Sequence, residues 1–453
     1  MVPRLRWHTV RVLPFASRGV SMRIAFVRPS MSGRPSSDAL QPLVFSLIKA
    51  LTPEDIELTF FDGMIEALPE DFDADVVALT VETFAARSAY AIADRARLRG
   101  IPVVMGGYHP TAVPDEAGEH ADAVVVGEAE DTWPKLLADL ASGTLQPRYI
   151  SRNDADLTLR PASDAVDRRR YPPLGVVQFS RGCRYACEFC SIHSFFGHKV
   201  RSKPLELIVA EVRDRPERLL FFVDDNLFAD REQARALFTA LVGLGKRWVC
   251  QISMDVAEDA DLLALMRRAG CFMVLIGFES LAIENLKQMG KGANLHTDYD
   301  RIVGNVAAAG LMIYGTFVIG YDHDTCRTGP ALVDFATRSG FSIANFNPLM
   351  PMPGTRLFDR LTQTERLLHE RWWLDDSFRY GDAMLRPAGM TPHQLTETCR
   401  EARYAFTSLS SIRRRSLSPA NRRPHNIWLH LAANLVSRRE IRAKQGRELG
   451  VSG

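Results

Sequence analysis

Apolar residues recur in short β-branched runs from Arg23 to about Gly143, at Ile24–Val27, Leu58–Phe61, Val76–Leu79, Val103–Met105 and Ala123–Val126, with helix-like segments between them. Runs that are apolar at every position predict strands covered on both faces, and their separation by helices predicts a parallel, doubly wound sheet of Rossmann or flavodoxin type. In such a sheet ligands bind beyond the carboxyl ends of the strands. Those ends carry Asp62-Gly63, Thr80 to Thr83, Gly106-Gly107-Tyr108-His109 and Gly127-Glu128-Ala129-Glu130. Small and polar residues there leave room for a bulky ligand, although βα turns use glycine for backbone reasons in any case.

The pattern breaks over residues 144–173, where SRNDAD, a run of Asp and Arg and the pair Pro172-Pro173 predict a linker, and then resumes. The second series predicts strands at Val176–Ser180, Leu219–Val223, Trp248–Ile252, Phe272–Gly277, Ile313–Ile319 and Ile343–Asn347, with helices near 230–243, 258–269 and 298–309. Six βα units fall short of a closed eight-fold barrel, so an open, partial barrel over 174–360 is expected, with its chemistry on the loops after the strands. Residues 361–453 read as mainly helical. Their Trp372, Trp373, Phe378 and Tyr380 are candidates for a substrate cap over the barrel mouth, against the plainer reading of core aromatics.

The chain has 453 residues and a formal charge of +2, so no global field argues for nucleic acid as a partner. One local exception is the arginine-rich stretch Arg413–Arg439 with Ile427-Trp428-Leu429, which reads either as a lipid-facing surface or as a solvated helix face. No apolar run is long enough to span a bilayer, and the arginine-dotted start is a poor secretory signal; residues 1–21 are expected to be a disordered extension before a first domain over 22–143.

Seven cysteines, three of them crowded together, suit a metal site in a reducing, cytoplasmic compartment better than a disulfide framework. The crowded three lie in Arg181-Gly182-Cys183-Arg184-Tyr185-Ala186-Cys187-Glu188-Phe189-Cys190, directly after a predicted strand. A C-x3-C-x2-C loop can hold three irons of a cubane cluster and leave the fourth open to a small molecule. A closed zinc site needs a fourth ligand, which His193 or His198 would have to supply. Cys250, Cys271, Cys326 and Cys399 stand alone and read as small buried hydrophobes, the first two on strands.

This loop, with its aromatic residue before the last cysteine, resembles the signature of the radical S-adenosylmethionine (SAM) superfamily. The resemblance covers about residues 174–360. It implies a [4Fe-4S] cluster on Cys183, Cys187 and Cys190 whose open iron chelates SAM, with Phe189 near the adenine. Reductive cleavage of SAM then gives a 5′-deoxyadenosyl radical, the electron coming from a donor such as flavodoxin or ferredoxin. Asp224-Asp225-Asn226, Glu279-Ser280 and Gly320-Tyr321, at the ends of later strands, are the further SAM contacts the resemblance implies; a helix-capping turn is the alternative for the first two groups.

The doubly wound domain ahead of the barrel resembles that of the cobalamin-dependent radical SAM enzymes of class B methyltransferase type. Cobalamin is expected across Thr80, Thr83, Gly106, Gly107, Tyr108, Gly127 and Glu128. The loop after the first strand, Arg28-Pro29-Ser30-Met31-Ser32-Gly33, lacks the D-x-H-x-x-G pattern whose histidine ligates cobalt. That departure implies a base-off cobalamin with its lower face open or water-bound. The expected reaction is methyl transfer from methylcobalamin to an unactivated carbon of a small substrate. One SAM methylates cobalamin and a second supplies the radical. The alternatives are a cobalamin-dependent cyclisation, ring rearrangement or oxidation and, outside enzymes, a cobalamin-binding or redox-sensing module.

Overall fold

Strands form wherever the fully apolar runs predict them, and the two series fold as two separate units. The computed structural model describes residues 21–152, 155–228, 230–295 and 297–450. The extension expected over 1–21 therefore lies, through residue 20, outside the described residues. One unit comprises the chain through Pro35, Pro42–Asp167 and the residues from Leu449; the other comprises Ser36–Gln41 and Arg168–Glu448.

The first unit is a six-stranded parallel sheet of β1 (Arg23–Arg28), β2 (Glu57–Asp62), β3 (Val76–Thr80), β4 (Val103–Gly106), β5 (Ala123–Val126) and β6 (Arg148–Ile150), in the order β2-β1-β3-β4-β5-β6. The order reverses between β1 and β3, which makes the crevice beyond their carboxyl ends the expected ligand position. Helices Leu43–Leu51 and Trp133–Ser142 cover one face, where Phe45, Ile48, Leu136 and Leu140 pack on Ile24, Phe26, Val76 and Val104. Phe26 meets Phe45 and Trp133 edge-on, with ring centroids 5.7 and 5.9 Å apart. Strand β6 was not foreseen. Its three residues Arg-Tyr-Ile fall in the stretch read as linker, and only Tyr149 of them is buried. The chain returns to this unit at Leu449, and the Gly450 amide donates to the Met31 carbonyl at 2.7 Å.

The second unit is a six-stranded parallel sheet of β7 (Leu174–Val177), β10 (Leu219–Phe222), β11 (Arg247–Ile252), β12 (Cys271–Glu279), β13 (Met312–Ile319) and β14 (Ile343–Pro348), in sequential order. The short antiparallel pair β8 (Ser180–Arg181) and β9 (Arg201–Ser202) sits beside it. Helices follow the strands at Leu205–Asp214, Arg231–Leu241, Ala260–Arg268, Tyr299–Ala308 and Thr328–Arg338, giving a parallel half-barrel. Phe222, Trp248, Phe278, Phe317 and Phe346 face those helices and form the main core, which also takes in Cys250, Cys271 and Cys399, whereas Cys326, expected to be buried like them, is exposed.

Helices Pro392–Phe406, Leu409–Ser416 and Pro424–Lys444 extend this unit beyond β14. Arg415 pins them. It is fully buried, and its guanidinium donates to the carbonyls of Phe341 (3.0 Å), Ser342 (2.7 Å) and Phe406 (2.8 Å), to Asn434 Oδ1 (2.8 Å) and to Ser411 Oγ (3.2 Å), 3.7 Å over the Phe406 ring. Arg415→Met would orphan those buried acceptors at once, so the variant is expected to lose about 3–5 kcal/mol, read as a fall in the thermal unfolding midpoint. The expected aromatic cap needs correction. Trp372, Trp373 and Phe378 are buried against one another, with Trp372 Nε1 donating to the Pro351 carbonyl at 3.0 Å, so packing claims these rings.

Candidate functional site

The cysteine loop is built to hold a fixed shape. Residues 182–200 leave the half-barrel between β8 and β9, whose pairing closes the base of the excursion. Gly182 has φ +90°, and a Cβ there would lie 2.1 Å from the Lys199 carbonyl oxygen, so only glycine starts the loop. The Glu188 amide donates to the Met289 carbonyl (3.0 Å) and the Leu357 amide to the Glu188 carbonyl (2.9 Å), while the Glu188 carboxylate takes both arms of Arg360 (3.0 and 2.7 Å). Neither Glu188 nor Arg360 stood out in the sequence, because a residue between two cysteines is masked by the motif.

Asp224 and Asp225, after β10, are tied to the same loop. Asp224 is fully buried and accepts from the amide of Phe179 (3.1 Å), the amide of Ser180 and the Ser180 hydroxyl (2.6 Å). Burial pushes its carboxyl up to about 7, against the pull of those donors. Asp225 accepts from the Gly182 amide at 2.9 Å, and Asn226 Nδ2 lies 3.8 Å from the Cys183 sulfur. Both carboxylates therefore act on the loop backbone, and Asn226 acts on a thiol.

Cys183, Cys187 and Cys190 line one cavity of about 350 Å³ together with Phe189, Asp224, Asp225, Asn226, Gln251, Gly277, Glu279, Lys291 and Asn294. Burial pushes the Cys187 thiol up to about 11; the nearby Lys291 ammonium pulls it down, and Cys190 and Cys183 push it further up. Burial also raises Cys190, eased by the amides of Ile192 and His193. Among the described residues no three His, Cys, Asp or Glu side chains converge on one point, as a single ion would need. A cubane takes its ligands at separate irons, so three thiols spread over one wall fit a cluster better than a lone zinc ion. His193 and His198 lie edge to edge, 4.3 Å apart, and neither lines the cavity.

On the same cavity, the half-buried Lys291 and the buried Glu279 form an ion pair of 2.8 Å. Glu279 has φ +63°, at a bulge where β12 shifts register against β13. A non-glycine residue in that region is strained, which marks a position held for its side chain. Burial lowers Lys291, but the neighbouring Glu279 and Cys187 outweigh it and hold the ammonium above its usual range. Asn294 Nδ2 donates to the carbonyls of Gly277 (3.0 Å) and Phe278 (3.1 Å), which leaves its buried Oδ1 as an acceptor with no partner among the described residues, a fit for a ligand N–H. Lys291 and Asn294 escaped the sequence reading because nothing in Met289-Gly290-Lys291-Gly292 signals a return to the cavity.

Three expected contacts stand elsewhere. Ser280 Oγ accepts from the amide of Ala282 (3.1 Å) and from Asn285 (3.4 Å), as in the capping alternative, and does not line the cavity. The Gly320 and Tyr321 amides donate to Asp324 (2.8 and 3.0 Å), and Tyr321 is buried in the cluster against which Phe189 packs.

A second, polar cavity of about 240 Å³ opens on β13 and β14, lined by Tyr314, Asn345, Asn347, Tyr380 and Arg403, with Asp38, Glu440 and Lys444. Gly277, Thr316 and Asn345 are lateral neighbours across β12, β13 and β14, so Asn345 stands two strand spacings, roughly 10 Å, from the thiol cavity. Arg403 is buried on neutral acceptors, the Phe346 carbonyl (2.8 Å), Gln445 Oε1 (2.9 Å) and Asn347 Oδ1 (3.4 Å).

In the first unit, Thr80, Gly106, Gly107, Tyr108 and Gly127 stand half-buried at the carboxyl ends of β3, β4 and β5, with Thr83 and Glu128 buried beside them. Gly107 has φ +103°, and a Cβ there would lie 2.9 Å from both the amide nitrogen and the carbonyl oxygen of Val81. The Thr83 hydroxyl is fully buried and has no partner among the described residues. His109 is committed inward, its Nε2 3.0 Å from the Tyr90 hydroxyl, which donates to Glu116 (2.8 Å). Next to the β1 loop lies a hollow of about 430 Å³, lined by Ser30, Gly33, Gly63, Ser88, Arg95 and Gly450 among others, where the buried Ser30 Oγ has no partner among the described residues.

Two family models match the chain: the radical SAM superfamily over residues 177–327 and the B12 binding domain over residues 52–137. The bacteriochlorophyllide d C-12(1)-methyltransferase of Chlorobaculum tepidum is 30% identical over 395 residues, 84% of this chain and 86% of that one. The hopanoid C-2 methylase of Rhodopseudomonas palustris is 30% identical over 349 residues, 73% of this chain and 66% of that one. The radical SAM methyltransferase TsrM of Kitasatospora setae, solved with tryptophan and a SAM analogue, superposes with a TM-score of 0.62 at 18% identity, over 76% of each chain, and so shares the fold.

Proposed function

This chain belongs to the cobalamin-dependent radical SAM methyltransferases, and from that premise we propose that Cys183, Cys187 and Cys190 hold its [4Fe-4S] cluster while the cavity they line takes SAM. Once bound and reduced, the cluster would supply reductive cleavage of SAM, and cobalamin would supply the methyl group that replaces hydrogen on an unactivated carbon. The observation that carries the assignment of residues is the convergence of three thiols, an anion-bracketed Lys291 and an unpartnered Asn294 oxygen on one cavity at the strand ends.

The chain's own groups divide the work. Asp224 and Asp225 fix the backbone that presents Cys183. Lys291 balances the charge of the thiolates, and Glu279 and Asn294 accept from the donors of SAM. Phe189 flanks its adenine. Glu279→Gln keeps the shape and removes the charge, so SAM affinity is expected to fall about tenfold or more, with iron content unchanged. Equilibrium binding to the reconstituted protein measures it.

Thr80, Thr83, Gly106, Gly107, Tyr108, Gly127 and Glu128 would hold cobalamin, with the Thr83 hydroxyl available to hydrogen-bond to it. No histidine occupies the β1 loop, and the hollow beside Ser30 and Gly33 suits a displaced nucleotide tail, which supports base-off binding. The polar cavity at Tyr314, Asn345 and Arg403 is the place for a polar group on the substrate, with Asn345 about two strand spacings from the thiol cavity. The seven cysteines are all unpaired, which supports a reducing, cytoplasmic setting with a flavodoxin or ferredoxin as electron donor.

Anaerobic reconstitution tests the reading, with iron, sulfide and cobalamin quantified on one sample and spectra taken by absorbance and EPR. Under reductant and SAM, a methyltransferase forms 5′-deoxyadenosine and S-adenosylhomocysteine together. 5′-Deoxyadenosine alone would point to cyclisation or oxidation, and a cluster without cobalamin would remove the methylcobalamin route.

A further inference from the structure

The helix Pro424–Lys444 departs from an ordinary surface helix, because polar side chains take its most buried positions while several large apolar ones stand in solvent. Its buried residues are polar, Asn426, His430, Asn434 and Glu440, and each is held: Asn426 by Arg247 and the Ala420 carbonyl, His430 by Ser342, Asn434 by Arg415, and Glu440 by Ser36 and Ser37. Its outward stripe is apolar. Trp428 is 74% exposed and Leu435 56%, with Ala432 and Val436 exposed beside them at helical spacing, and His425 and Arg439 close the two ends of the stripe. The neighbouring helix Leu409–Ser416 and its end add Leu409 at 63% and Leu417 at 72% exposure. An ordinary surface helix presents the opposite arrangement, because apolar groups facing water forgo their burial energy.

Charge names the medium that covers this face. Between Leu409 and Lys444 the chain carries nine basic side chains against the single acidic Glu440, although the whole chain is only +2. Arg413, Arg414, Arg422 and Arg439 are exposed and, among the described residues, make no ion pair. A second copy meeting this face across a two-fold axis would set arginine against arginine. Nucleic acid would want several stacking rings, and the stripe has one. An aromatic and aliphatic stripe rimmed by unpaired arginines is the pattern of a helix lying in the interface of an anionic bilayer. We infer that the C-terminal helices dock this protein peripherally on an anionic lipid surface, with Trp428 and Leu435 entering the headgroup boundary. No helix among the described residues is long and apolar enough to cross a membrane.

Cosedimentation of the full chain with vesicles decides it. Binding is expected to phosphatidylglycerol–phosphatidylcholine vesicles, at least ~10-fold weaker to phosphatidylcholine alone and weakening as salt rises. The double substitution Trp428→Ser, Leu435→Ser touches only exposed positions, so it should cut vesicle binding about tenfold or more. Its thermal midpoint and its SAM cleavage should stay unchanged. The inference is overturned if the protein stays in the supernatant with anionic vesicles, or if the double variant binds them as the parent does. It is equally overturned if the parent is a dimer that the variant dissociates, or if duplex DNA binds more tightly than the vesicles.

Discussion

Cys187→Ala is expected to lose the iron–sulfur absorbance and to cut SAM cleavage by ~10³-fold or more, because a cubane left with two protein thiolates is neither held nor oriented. Cys187 is the most buried of the three thiols, so the variant leaves a small space away from solvent and little else changes around it. Its cobalamin content should equal that of the parent, since the residues assigned to cobalamin belong to a different folding unit. Iron, sulfide and cobalamin determined on one preparation separate loss of the cluster from loss of the fold. Retention of full SAM cleavage would end the assignment of this loop as the cluster site.

Gly107→Trp is expected to empty the other cofactor site. The left-handed backbone at Gly107 already excludes a Cβ, which would press on both polar groups of Val81, and an indole would reach into the crevice beyond β3 and β4. Cobalamin occupancy should fall at least ~10-fold, and methyl transfer with it, while uncoupled formation of 5′-deoxyadenosine continues at the intact cluster. Cobalamin retained at full occupancy would move the corrin away from Gly107. Loss of both cofactors would mean that the substitution had unfolded the unit, and Gly107→Ala would then be the milder probe.

Most of the fold was legible because both sheets are parallel and covered, so their strands announce themselves as uninterrupted apolar runs such as Val76-Val77-Ala78-Leu79 and Phe272-Met273-Val274-Leu275-Ile276. Strand β6 was not legible. An edge strand of three residues with two of them exposed has no run to show, and it hid in a stretch rich in Asp and Arg. Of the site, the cysteine motif was plain because its spacing is its chemistry. Lys291 and Asn294 were opaque because their roles depend on a loop folding back over the cavity, which no local pattern encodes. Asp224 shows a subtler limit: its position after β10 could be read, but the direction of its carboxylate, toward the backbone of Phe179 and Ser180, could not.

The return of the chain to its first unit has a consequence for how the molecule is made. Gly450 donates to Met31 and lines the hollow beside Ser30 and Gly33, yet it leaves the ribosome only after the entire half-barrel has been translated. The six-stranded sheet can therefore form early, but this wall of the hollow waits until Gly450 has been translated. Cofactor loading during translation would meet an unfinished crevice, and a nascent chain arrested before Leu449 would carry one open to water.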